Sequence, residues 1–226
     1  MSVRNDLQEQ AYRELRKQIM AGTFVPGQKL SEPELAAMFQ VSRSPIREAM
    51  LRLERDGFLV RGRNGRVSVA PLDIEEMRHL YVVRANLEGL ATRLATSFLR
   101  TVDLEVMDEA LRANRQAVTE GNANGASLSG QAFHNVILRE CGNAPLRDVL
   151  THFSSRINRF RMLAQSFETY DEARLDEHQR VLDALYARDP DVAEAAMVFH
   201  IQQSGEALLA NLRSILARQE TAMESG

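Results

Sequence analysis

One cysteine, Cys141, stands among 226 residues, so no disulfide framework can form within the chain. That scarcity fits a reducing compartment, where a free cysteine most simply serves as a small buried hydrophobe. No stretch approaches the roughly 20 apolar residues that span a bilayer. The opening MSVRNDLQEQAYRELRKQ is charged, with no apolar run behind it. A cytoplasmic protein without a membrane segment is expected. Also missing are an HExxH pair, a glycine-rich phosphate loop, a nucleophile motif and a general base clearly paired to a histidine, so an enzyme is not expected. The net charge of -3 is small, and the hydrophobic and charged fractions of 44% and 26% are those of a globular chain rather than a disordered one. The length suits two domains better than one.

The charge is unevenly spread. Residues 1–71 hold 12 Lys or Arg against 8 Asp or Glu, whereas the remaining 155 residues hold 16 against 23. A basic excess confined to one end is the electrostatic footprint of a DNA-binding domain, since each neutralised phosphate releases counterions. Within this end, Ala11, Leu15, Ile19 and Met20 recur at helical spacing and Gly22 follows as a stop. After the Pro26-Gly27 turn, Ser31 and Glu34 form a capping box ahead of Leu35, Ala36 and Phe39, and Pro33 falls in the first turn, where its missing N–H costs nothing. A third helix opens at Ser42 in SRSPIREAMLRLERDG, lines one face with Ile46, Ala49, Met50 and Leu53, and stops at Gly57. Two short helices across a tight turn, the second arginine-rich at its start, have helix-turn-helix geometry. FLVRGRNGRVSVA then reads as two strands about Asn64-Gly65, the dipeptide suited to a two-residue type I′ turn. This hairpin is the expected wing. Arg61, Arg63 and Arg66 cluster near its tip, as groove or phosphate contacts or as ordinary solvated charge, and Ser42 and Ser44 are placed to donate to phosphates.

The run KLSEPELAAMFQVSRSPIREAMLRLERDGFLV resembles the N-terminal signature of the GntR family of transcription regulators. The resemblance implies that Arg43 and Arg47 contact operator bases, where arginine can grip guanine O6 and N7 bidentately. It further implies that Ser31, Ser42 and Ser44 and the wing residues Arg63, Gly65 and Arg66 add groove or backbone contacts. Many members carry arginine where this chain has Pro33, so one DNA contact is expected to be missing.

Beyond Ala70-Pro71 helical periodicity continues almost to the end, and predicts helices over about 73–100, 103–119, 128–140, 144–166, 171–187 and 190–217. The expected fold is mainly α: a winged helix-turn-helix over 1–71 and an all-α six-helix bundle over 72–226. His134, His178 and His200 sit on three of these helices among apolar neighbours. Each alone reads as a core or boundary histidine, but three on separate helices can converge on an interior metal site with open positions.

Their spacings of 44 and 22, with the stretches VVRANLEGLATRLA and EHQRVLDALYARDPDVAEAAMVFH, are similar to the effector domain (FCD) of the FadR subfamily, at its smaller, VanR-like six-helix size. That resemblance implies a divalent metal, zinc or nickel, held by His134, His178 and His200 and by an aspartate four residues before the first histidine. Here that position is Gly130. Metal binding is then weaker, or the shell is completed by water, by Gln131 or by the effector itself; the other reading is a metal-free pocket in which the histidines hydrogen-bond an acid directly. Arg84 and Glu88, one turn apart, match a recurring pair and form either a carboxylate clamp or an intrahelical ion pair. Arg156, Arg159 and Arg161 offer a similar choice, with Arg159 taken as an effector contact; His79 and His152 match no ligand position. The expected function is a DNA-binding transcription regulator, a repressor by family habit. It would act as a homodimer on a palindromic operator, controlled by a small carboxylate effector. The rival reading, a metal-dependent enzyme in which an open three-histidine site activates water, leaves the DNA-reading N-terminal module unexplained.

Overall fold

The computed structural model describes residues 3–71, 73–164 and 172–224. The chain divides into two compact units, one of Met1–Asp73 with Ser155–Leu163, the other of Ile74–Ser154 with Ala164–Gly226.

In the first unit, α1 (Val3–Met20), α2 (Glu32–Met38) and α3 (Arg43–Arg55) enclose a core whose buried members include Leu15, Ile19, Leu35, Ile46, Leu53, Phe58 and Leu59. Ser31 begins α2 with its Oγ accepting from the Glu34 N–H at 3.4 Å, and Pro33 occupies the first turn. Ser42 stands at the N-cap of α3, but its side chain makes no capping hydrogen bond. The apolar stripe of α3 turns inward, with Ile46 and Leu53 fully buried, each worth about 1.5–3 kcal/mol. The same periodicity leaves Arg43, Ser44 and Arg47 exposed on the opposite face. The wing strands β2 (Leu59–Arg61) and β3 (Val67–Val69) pair antiparallel, Arg61 opposite Val67. A strand too short to be read in the sequence, β1 (Lys29–Leu30), pairs with the other side of β3, giving the order β1-β3-β2. The turn also differs from expectation. A type I′ turn needs positive φ at both central residues, and here Gly65 has φ 76 while Asn64 does not. The Gly65 N–H donates to Gly62 O and the Gly62 N–H to Arg66 O, both at 2.9 Å, so the wing turns through a three-residue loop, 63–65, with glycine at the left-handed position.

Beyond the first unit's N-terminal part the described helices are α4 (Ile74–Ala95), α5 (Thr101–Thr119), α6 (Ala123–Glu140), α7 (Ala144–Ala164), α8 (Glu172–Tyr186) and α9 (Pro190–Glu224), all in the second unit except the stretch of α7 over Ser155–Leu163, which groups with the first. The expected ends at 166 and 171 lie outside the described residues. α4 stops five residues earlier than its periodicity suggests: Arg188 donates to the carbonyls of Thr96 (3.1 Å) and Leu99 (2.5 Å), satisfying acceptors a helix end leaves open. α6 starts five residues earlier, because the side chain of Asn122 accepts from the Gly125 N–H at 2.9 Å and caps a helix that absorbs Gly125. α4 packs along α9 and α6, α5 along α6 and α8, and α8 along α9. The α4–α9 seam is tight, since a Cβ on Gly205 would lie 2.7 Å from Tyr81 Cδ1. This seam brings Glu88 on α4 to the helices that carry the three histidines.

Candidate DNA-reading face and metal centre

The first unit presents a basic face built from the starts of α2 and α3 and from the wing. Arg43, in the first turn of α3, has no ion pair among the described residues and projects to solvent. Arg47, one turn later, has a side chain 60% exposed that lies against Glu32 at the start of α2. Its Nε donates to Glu32 Oε1 and Oε2 at 3.1 and 3.2 Å, and its Nη2 donates to Oε2 at 2.9 Å. The hydrogen bonds from Arg47 outweigh partial burial and hold the Glu32 carboxyl below its ordinary range. A groove of about 360 Å³ lies between this helix start and the wing, lined among others by Ser31, Glu32, Arg61, Gly65 and Arg66. Arg63, Gly65 and Arg66 are exposed at the wing tip, whereas Arg61 is committed: it pairs with Glu54 and donates to Gly65 O at 3.0 Å.

The second unit gathers His134 from α6, His178 from α8 and His200 from α9. All three are buried, and one ligand nitrogen from each lies within 4.8 Å of the others. Their outer nitrogens meet acceptors. His178 Nδ1 lies 3.0 Å from the Arg174 carbonyl, and His200 Nδ1 lies 2.9 Å from Glu177 Oε2. His134 Nδ1 lies 2.7 Å from Glu88 Oε2, though not aligned as a hydrogen bond. A protonated Nδ1 in each ring leaves the Nε2 lone pair for the interior, the arrangement of ligating histidines in general. The Nε2 atoms of His134 and His178 are 3.3 Å apart. Two nitrogens bound to one ion at about 2.0–2.1 Å have a separation close to that, so the donor set fits a divalent metal.

Beside the triad, Arg84 Nε donates to Glu88 Oε1 at 2.5 Å, and both side chains are buried. The ion pair and the pocket position left open by the sequence are thus one arrangement. Burial pushes the Glu88 carboxyl up, but Arg84 and His134 together outweigh it and hold it well below the usual carboxylate range. Arg84 Nη1 is buried with no partner among the described residues, a donor that a bound anion would satisfy. Gly130 lies on the inward side of α6, and a Cβ built there would meet only Asn114 Nδ2, at 3.6 Å.

One expected effector residue, Gln131, is not brought to this centre. Gln131 is exposed, because the inward face of α6 runs through Ala126, Phe133, His134 and Ile137 and leaves residue 131 off it. The side chain of Arg159, the other expected effector contact, lies outside the described residues. His79 and His152 are exposed. Glu32 and Glu177 were not legible as site residues. Glu177 directly precedes His178 yet serves His200 on another helix, and Glu32 meets an arginine fifteen residues away. The adjacency of Glu177 to a histidine was the only available signal.

A winged helix-turn-helix joined in one chain to a helical domain with a buried histidine centre defines a DNA-binding transcription regulator. The chain matches the profile of bacterial regulatory proteins of the gntR family over residues 7–69 and that of the FCD domain over residues 79–203. It belongs to the GntR family, with an FCD domain. Its similarity to the HTH-type transcriptional regulator YdhC of Bacillus subtilis is 30% identity over 200 residues, 88% of this chain and 89% of that protein. With the HTH-type transcriptional repressor RspR of Escherichia coli it shares 26% over 201 residues, 88% of each chain. Among solved structures, McbR/YncC of E. coli superposes with a TM-score of 0.72 at 22% identity, covering 94% of this chain and 100% of that one, a likeness of fold.

Proposed function

We propose that this regulator works as a cytoplasmic homodimer that represses transcription from a palindromic operator, and that a small carboxylate effector bound at a metal-containing histidine centre sets its operator affinity. The observation that carries the reading is the convergence of three buried histidine nitrogens beside the buried Arg84 Nη1, which has no hydrogen-bond partner among the described residues. Repression is supported by relatives whose names say so: RspR and, in Bacillus licheniformis, the gluconate operon transcriptional repressor, 30% identical over 196 residues.

In this reading Arg43 and Arg47 read base edges, while Ser31, Ser42, Ser44, Arg63, Gly65 and Arg66 fix the register through backbone and groove contacts. His134, His178 and His200 would hold zinc or nickel, which supplies a Lewis-acidic centre for a carboxylate. Glu177 and the Arg174 carbonyl orient two of the imidazoles. Arg84 offers its remaining N–H groups to the same acid, held in place by Glu88. With Gly130 in place of an acidic ligand, the centre would have one more open coordination position and one negative charge fewer, which favours an anionic effector in that position.

Two substitutions separate the halves of the proposal. Arg43→Ala should abolish sequence-selective DNA binding while leaving metal content unchanged. His178→Ala should lose bound zinc or nickel, measured by elemental analysis, while retaining DNA binding. A His178→Ala protein with full metal occupancy would overturn the sensor half, and an Arg43→Ala protein with unchanged selectivity the DNA-reading half.

A further inference from the structure

A carboxylate on a DNA-reading face repels phosphate, and Glu32 sits in the groove between the start of α2 and the wing, close to Arg43, Arg47 and Arg61. Such a charge weakens non-specific binding, so its place needs a compensating role. The contact with Arg47 supplies one. A guanidinium has two hydrogen-bonding edges, one formed by Nε and Nη2 and one by the two terminal nitrogens. Glu32 takes the first edge alone, through Nε at 3.1 and 3.2 Å and Nη2 at 2.9 Å. The terminal edge faces away from that grip on a side chain 60% exposed. A terminal edge of this kind can span guanine O6 and N7 bidentately. Arg43 has no equivalent partner among the described residues, so the two arginines of α3 differ in how firmly they are aimed.

We infer that Glu32 is a specificity-determining positioning residue: by clamping the inner edge of Arg47 it aims the outer edge at one guanine, trading general DNA affinity for discrimination. The inference rests on the proposed base contact of Arg47. The clamp lowers the rotamer freedom that a long exposed side chain would lose on binding DNA. It also orients the guanidinium plane, which a point charge such as lysine could not use.

The test uses the full-length protein. A duplex selected from a randomised pool by the unaltered protein is compared with a scrambled duplex of equal composition, by fluorescence anisotropy at several salt concentrations. Glu32→Ala should bind the scrambled duplex several-fold more tightly, because a repelling charge is gone. Its selected-to-scrambled affinity ratio should fall about tenfold, with the loss concentrated at one guanine position. Glu32→Gln, which keeps an acceptor for Arg47 without the charge, should fall between. In an Arg47→Ala background, removing Glu32 should leave the ratio where Arg47→Ala alone put it. If Arg47→Ala lowers the ratio but neither Glu32 variant does, Glu32 is only a screening charge and the inference fails. If both affinities drop in parallel with a lower melting temperature, its role is structural and the inference fails too. Should Arg47→Ala leave the ratio intact, the base-reading proposal falls first, and the clamp with it.

Discussion

Glu177 accepts from His200 inside the second unit, at a distance that fixes both tautomer and ring orientation. Outer partners of this kind commonly contribute 10–100-fold to metal affinity. Glu177→Gln is therefore expected to weaken zinc binding by about that factor in a chelator-competition titration, with the circular dichroism spectrum unchanged; unaltered affinity would remove Glu177 from the centre. Gly130 argues in the opposite direction. A side chain built there has only Asn114 Nδ2 nearby, at 3.6 Å, so Gly130→Asp can enter without displacing backbone. It should tighten zinc binding in the same titration and blunt the response to a carboxylate effector, because the aspartate and the acid then compete for one position. The sequence revealed the three histidines as residue types on separate helices, and the resemblance to the FadR effector domain implied the aspartate that Gly130 replaces. It did not reveal Glu177 or Glu32, because each works across two elements whose relative register is decided by packing.

At the scale of elements, the helices were legible wherever apolar spacing ran long. Their ends were not. α4 gives up its last turn to the guanidinium of Arg188, 89 residues on from Leu99, and α6 gains a turn from the side chain of Asn122. Both are long-range or local polar decisions that a 3.6-residue period cannot carry. The wing shows the same limit: Asn64-Gly65 announced a turn, yet Asn64 keeps negative φ and its Oδ1 accepts from the Arg66 N–H at 3.1 Å instead. The short strand β1 has too few residues for any alternation to appear. The α4–α9 seam offers a quantitative test. Alanine is about 1 kcal/mol better than glycine inside a helix, but a Cβ on Gly205 would sit 2.7 and 2.9 Å from the Tyr81 ring. Overpacking of that kind costs about 1–3 kcal/mol. Gly205→Ala should thus lower the melting temperature by a few degrees, a net loss despite the better helix former. A higher melting temperature would mean that the seam has slack.

Across the whole molecule, two domains with different chemistry share one chain: a basic end shaped for duplex DNA and an acidic helical end with a histidine centre. An effector can alter DNA affinity only if it binds the DNA-competent and incompetent states unequally. Couplings between such sites are commonly 5–150-fold. The division of charge along the chain is only weak evidence for this arrangement by itself; through the helix-turn-helix pattern and the resemblance of the histidine spacing to an FCD domain, the arrangement is legible in one dimension. The identity of the acid is not, since it depends on the depth and shape of the space around Arg84 and the triad. Sensor control of DNA reading is tested most directly by measuring the affinity of the zinc-loaded protein for its selected duplex, with and without a panel of small mono- and dicarboxylic acids, beside the His134→Ala variant. At least one acid should change the affinity of the unaltered protein by about tenfold or more and leave the variant unmoved. Identical binding curves in every acid, with zinc bound, would contradict the proposal that the histidine centre governs the DNA-reading helix.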